Sequence, residues 1–163
     1  MKKRIPPGPG QESVWDYPRP PRLEDVNKPV RVVFAGQTIC VTHKAKRVLE
    51  TSHPPNYYLP PSDLTAGLLA PADGGSWCEW KGKASYFHVR VAEAIAERAA
   101  WSYPQPTGAF AGIAGYVAFY AGLMDACYVG DDLVTPQPGG FYGGWITPDV
   151  VGPFKGGPGT MGW

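Results

Sequence analysis

The chain has 163 residues, enough for one domain of ordinary size with its own core. Hydrophobic residues at 44% against 18% charged exclude a generically disordered protein, and 15 Lys+Arg against 14 Asp+Glu leave no field to draw the chain onto nucleic acid or an acidic membrane. With 21 Gly, 19 Pro and 13% aromatic residues, the composition favours turns and strands over long helices. The three cysteines form no CxxC pair, and no run approaches the roughly 20 apolar residues of a membrane span. The Lys-Lys-Arg start carries charge without an apolar run behind it, so a secretory signal is not expected and a cytoplasmic location with free thiols is.

Residues 1–29 read as a proline-rich arm, with Val14, Trp15 and Tyr17 apolar enough to lie on the domain. Val30, Val32 and Phe34 alternate, and Ala35-Gly36-Gln37 turns the chain into Thr38–Thr42, giving a hairpin. Residues 46–51 and 56–59 are shorter strands separated by His53-Pro54-Pro55. Residues 62–69 look like a short helix capped by Ser62 or Asp63. Ser76–Trp80 and Ala84–Val91 flank Lys81-Gly82-Lys83 as a second hairpin, with Gly82 free to take positive φ. Residues 91–100 are rich in Ala and Glu, and local propensity favours a helix, although the preceding strand could also fold back as a hairpin. Strands are expected over 113–120 and 126–129. From Thr135 the chain is rich in Gly and Pro but carries Phe141, Tyr142, Trp145, Ile146 and Phe154, so an arm packed on the domain or on a second subunit is expected. The division is thus 1–29, 30–134 and 135–163, around a mainly β domain of small antiparallel sheets with one or two short helices.

Five ordered motifs carry a resemblance: Glu12–Pro20, Arg47–Pro60, Trp80–Tyr86, Ala99–Pro104 and Gly115–Tyr120. They resemble the bacterial and fungal family known as domain of unknown function 427, over residues 12 to about 134. The resemblance implies a small, mainly β fold with the β-tent type as a candidate, and the family carries a nucleotidyltransferase-like label. Pro138–Trp145 is similar to an extension of longer members. Cys78-Glu79 departs from the family's usual Cys-Pro.

Several constellations could carry chemistry. Glu50, His53 and Asp63 could supply carboxylate and imidazole for acid–base work. Lys81-Gly82-Lys83 could hold a phosphate. Cys78, between Trp77 and Trp80, reads as a buried thiol before it reads as a nucleophile. The cysteines lack the spacing of a zinc site, so neither metal nor cofactor is expected. Aromatic residues in excess of a core's needs suggest a lined pocket. The leading expectation is a domain that binds a small anionic or planar ligand through Arg47, Tyr57, Tyr58, Lys81, Tyr86 and Trp101. In it, Arg47 and Lys81 engage the anion and the aromatics stack on the planar part. The rival is a nucleotidyltransferase-like or hydrolytic enzyme using Glu50, His53, Asp63 and Lys81. A third reading is an assembly protein whose C-terminal arm makes a homodimer. A neutral chain argues against nucleic acid as the partner of an aromatic surface.

Overall fold

The computed structural model describes residues 3–163. Strands β1 (Glu12–Ser13) and β2 (Arg22–Asp25) come from the proline-rich start, and β3 (Val30–Phe34) and β4 (Gln37–Thr42) form the first hairpin. β5 (Lys46–Leu49) and β6 (Asn56–Tyr58) precede a meander of β7 (Leu69–Cys78), β8 (Gly82–Val91) and β9 (Ala94–Ser102). Then come β10 (Val117–Phe119), β11 (Ala126–Val129), β12 (Asp132–Leu133), β13 (Thr135–Pro136), β14 (Trp145–Ile146) and β15 (Val150–Val151). The larger sheets run in the orders β10-β9-β8-β7, β12-β11-β3-β4 and β2-β5-β6, and β13-β14 and β1-β15 form two small pairs. Every pair is antiparallel except β1 with β15. The fold is therefore mainly β, as the composition implies, and no helix among the described residues is long and apolar enough to cross a membrane.

The first hairpin follows from its pattern. Val30, Val32 and Phe34 are buried while Arg31 is exposed, and Ala35 and Gly36 take φ of 52° and 73° at the turn. Positive φ at both central residues matches the twist of the strands on either side. At the second hairpin Gly82 has φ of 97° and pairs with Cys78.

Three local expectations are corrected. Residues 91–100 are not helical: β8 reaches Val91, Ala92 turns with φ of 51°, and β9 begins at Ala94. Pairing with β8 on one side and β10 on the other, with Ala99 and Ala100 fully buried, outweighs a propensity difference of a few tenths of a kcal/mol per residue. The helix over 62–69 shrinks to a single 3-10 turn, Pro61–Asp63. The Asp63 carboxylate accepts from Thr42 Oγ1 at 2.7 Å and caps nothing, and Gly67 leaves helical space with φ of 74°. The strand over 113–120 is limited to Val117–Phe119, preceded by 3-10 turns over Gly108–Ile113.

The main core gathers Val30, Val32, Ile39, Leu59, Phe119 and Trp145 among others. A second apolar cluster lies under the aromatic residues of the meander, and a third joins Val14, Trp15 and Tyr17 to Leu49 and Val150. Trp15 Nε1 donates to the Pro153 carbonyl at 2.9 Å, so the two ends of the chain are joined by a side chain as well as by the β1-β15 pair.

Candidate functional site

A cleft of about 870 Å³ is lined by the meander strands on one side and the C-terminal segment on the other. Strand register aims its aromatic residues. Tyr86 stands directly opposite Trp101 across β8 and β9, which puts both side chains on one face of the sheet. Paired bonds of 2.8 Å between Leu59 and Val117 attach β6 to β10 and bring Tyr58 to the same place. The Tyr58 ring meets Trp101 edge-on at 6.4 Å, and Trp101 meets Tyr120 at 4.7 Å. Gly143 runs against the Trp101 ring, where a Cβ would collide with the indole. The glycine of the C-terminal segment is thus needed for close approach.

Lys81 is the unusual member. It is only 6% exposed, yet among the described residues its ammonium has neither a carboxylate partner nor a hydrogen-bond acceptor. It faces the rings of Tyr103 and Phe110, with Nζ 5.5 and 5.8 Å from their centroids. Aromatic faces compensate a cation in part, but they do not replace hydrogen bonds to an anion. Arg98 and Lys155 also line the cleft, against one carboxylate, Glu50. The Asn56 carboxamide oxygen, also in the lining, is buried without a hydrogen-bond partner among the described residues.

The opposite wall is a fixed polar chain. Gln137 Oε1 accepts from the Gly144 amide at 3.0 Å, which orients the carboxamide. Its Nε2 then donates to the Lys155 carbonyl at 2.8 Å and lies 3.2 Å from His53 Nδ1. Nδ1 therefore accepts, and the imidazole proton sits on Nε2, 3.7 Å from Glu50 Oε2. Burial first, then the charges of Lys155, Arg19 and Lys81, lower the His53 pKa to about 4. His53 is thus neutral at pH 7, and both of its nitrogens face protein groups.

Of the residues picked from the sequence, Glu50, His53, Tyr58, Lys81, Tyr86 and Trp101 share this cleft. Arg47, Tyr57 and Asp63 do not line it. Arg47 lies opposite Glu24 and Tyr57 in its sheet, and its guanidinium holds Glu24 and, at 2.8 Å, Glu12. With its charge already matched, it cannot share an anion with Lys81; it borders a separate hollow of about 330 Å³. Tyr57 stacks on Trp145 at 5.1 Å inside the main core. Asp63 is engaged by Thr42 on another part of the surface, so the trio of Glu50, His53 and Asp63 does not assemble.

Sequence reasoning passed over Gln137, Arg98 and Lys155. Their neighbours in sequence give no signal, and only the packing of the C-terminal segment brings Gln137 and Lys155 to His53. Cys78 also departs from expectation: it is partly exposed in the cleft, and Trp77 beside it is 74% exposed instead of covering it. Cys40 and Cys127 lie in the main core, and among the described residues no three His, Cys, Asp or Glu side chains converge as metal ligands do.

Fold and site together define a small, mainly β protein with an aromatic cleft whose charged lining is predominantly basic. Residues 22–130 match the family described as Domain of unknown function (DUF427), labelled NTP_transf_9, and the chain belongs to that family. No curated protein matches the chain. The matched segment contains Lys81 and the aromatic floor, whereas Gln137, Gly143 and Lys155 lie beyond it.

Proposed function

We propose that the cleft binds a small ligand with a planar ring and an anionic group. Lys81 engages the anion, Arg98 and Lys155 add charge at its edges, and Tyr86, Trp101 and Tyr120 receive the ring. The observation that carries this reading is the Lys81 ammonium, buried in an aromatic setting without a carboxylate or hydrogen-bond partner among the described residues. A charge held in this way is costly unless something pairs it, and a ligand oxyanion would do so. The test is calorimetric titration with 1-naphthyl phosphate and adenosine 5′-monophosphate. Lys81→Met should weaken binding about tenfold to a hundredfold, the range for losing one charge-assisted hydrogen bond. Lys44→Met, which removes an exposed charge elsewhere, should not. Equal affinity in wild type and Lys81→Met would refute the reading.

A second reading is acid–base chemistry, and the ordered Gln137–His53–Glu50 chain in the same cleft favours it. Here Glu50 would act on a proton of the bound ligand while His53, held by Gln137, keeps the carboxylate in place. A cation clamp of the phosphoryl-transfer kind needs converging carboxylates, and Glu50 is the cleft's single one among the described residues. Turnover of p-nitrophenyl phosphate that disappears in Glu50→Gln would support this reading; its absence in wild type would leave the binding function.

A further inference from the structure

Cys78 closes β7 and is the one thiol of the three that opens into the cleft. Cys40 and Cys127 are sealed in the core, and burial pushes both thiols up to about 12. At neutral pH they stay protonated and shielded, and are chemically inert. Cys78 is differently placed. Lys81 follows it across the β7–β8 turn, nine-tenths buried, unpaired and facing the same space. Tyr103 lines the same cleft: its ring faces Lys81 Nζ at 5.5 Å, and Cys78 is close enough to the phenols of Tyr103 and Tyr58 to influence their ionisation. A partly exposed cysteine alone would mean little. A cation without a carboxylate partner among the described residues, lining the same cleft, draws negatively charged molecules into that space.

We infer that Cys78 is a nucleophilic thiol of the cleft that takes anionic electrophiles held by Lys81. The ligand class rests on the anion-binding reading above. In the step, the thiol proton passes to solvent and a sulfur electron pair attacks the electrophilic carbon. A C–S bond forms, the carbon's bond to its leaving group breaks, and the leaving group departs with that electron pair. No oxidant or reductant takes part.

Iodoacetate and iodoacetamide test this, because they share the reacting carbon and the leaving group and differ in charge. Alkylation is followed peptide by peptide by mass spectrometry in the folded full-length protein and in the same chain unfolded in urea. Cys78 should react well before Cys40 and Cys127. Its iodoacetate-to-iodoacetamide rate ratio should be about tenfold higher folded than unfolded, a modest Coulombic preference for a buried cation lining an open cleft. Inorganic phosphate should slow the iodoacetate reaction, Lys81→Met should return the ratio to its unfolded value, and Lys81→Arg should retain most of it. Should Lys81→Met fail to fold, phosphate competition in the wild-type protein decides the same point. Folded Cys78 reacting no faster than Cys40 and Cys127 would overturn the thiol assignment while leaving the anion reading to the phosphate-ester titration. A reactive Cys78 with no anion preference would overturn the ligand class and the anion reading together.

Discussion

The Gln137 carboxamide nitrogen lies 3.2 Å from His53 Nδ1 and joins two parts of the chain 84 residues apart. His53 lies within the segment that defines the family, and Gln137 lies beyond it. The contact fixes the imidazole tautomer, and the Gly144 amide in turn fixes the carboxamide. One wall of the cleft thus depends on a segment whose local sequence reads as little more than Gly, Pro and aromatic residues.

His53 makes the protein sensitive to acid. Its pKa falls from 6.5 to about 4 on folding, chiefly through burial and then through Lys155, Arg19 and Lys81. Between those values the unfolded chain binds more protons than the native one, so stability declines as pH drops from about 6.5 to about 4. The loss from this group reaches up to about 3 kcal/mol below that window. Urea denaturation at a series of pH values should show it, and His53→Gln should flatten the slope above the range where carboxylates titrate. An unchanged slope in the variant would assign the sensitivity to other groups.

Arg47 should prove structural. Replacing it with Met leaves Glu12 without its cation and Glu24 with only the exposed Arg22, 3.6 Å away. Because both carboxylates are partly solvated, the cost is discounted from that of a fully buried pair to about 1–3 kcal/mol. Chemical denaturation measures it. Titration of the folded variant with 1-naphthyl phosphate should give wild-type affinity, which distinguishes Arg47 from Lys81.

Trp145 anchors the C-terminal segment. It is 1% exposed, stacks on Tyr57, and donates from Nε1 to the Phe119 carbonyl at 2.9 Å. Trp145→Ala removes the ring and leaves that carbonyl without its donor, at a cost of about 3–5 kcal/mol. Deleting residues 136–163 should lower the melting temperature at least as much. If the truncated protein melts like the full chain, the segment contributes nothing to the fold.

Gly143→Ala probes the close approach over Trp101. The added methyl meets the indole, so either the ring or the loop must shift. Overpacking of this kind costs about 1–3 kcal/mol. Displacement of Trp101 should also weaken binding of 1-naphthyl phosphate and shift the tryptophan emission. Wild-type stability and affinity in this variant would show that the loop gives way freely.

Some features were settled by the sequence alone. The alternation of Val30, Val32 and Phe34 determined which face of β3 is buried, because side chains on a strand alternate strictly. Gly82, between two runs rich in strand formers, marked the second hairpin, because few other residues accept positive φ, but the turn itself falls at 79–81 and Gly82 opens β8 opposite Cys78. The motifs around Tyr58, Lys81, Tyr86 and Trp101 located most of the aromatic cleft. Tertiary structure decided the rest. Residues 94–102 became a strand because neighbouring β8 and β10 offered ladder bonds and burial that an isolated Ala- and Glu-rich segment cannot anticipate. Arg47 left the site because its partners come from β1 and β2, and a cation goes to the carboxylates folding places beside it. Lys81 was left without such partners among the described residues. Which cation is matched and which stays free depends on distances between strands far apart in the chain, and these exist only once the sheets have packed.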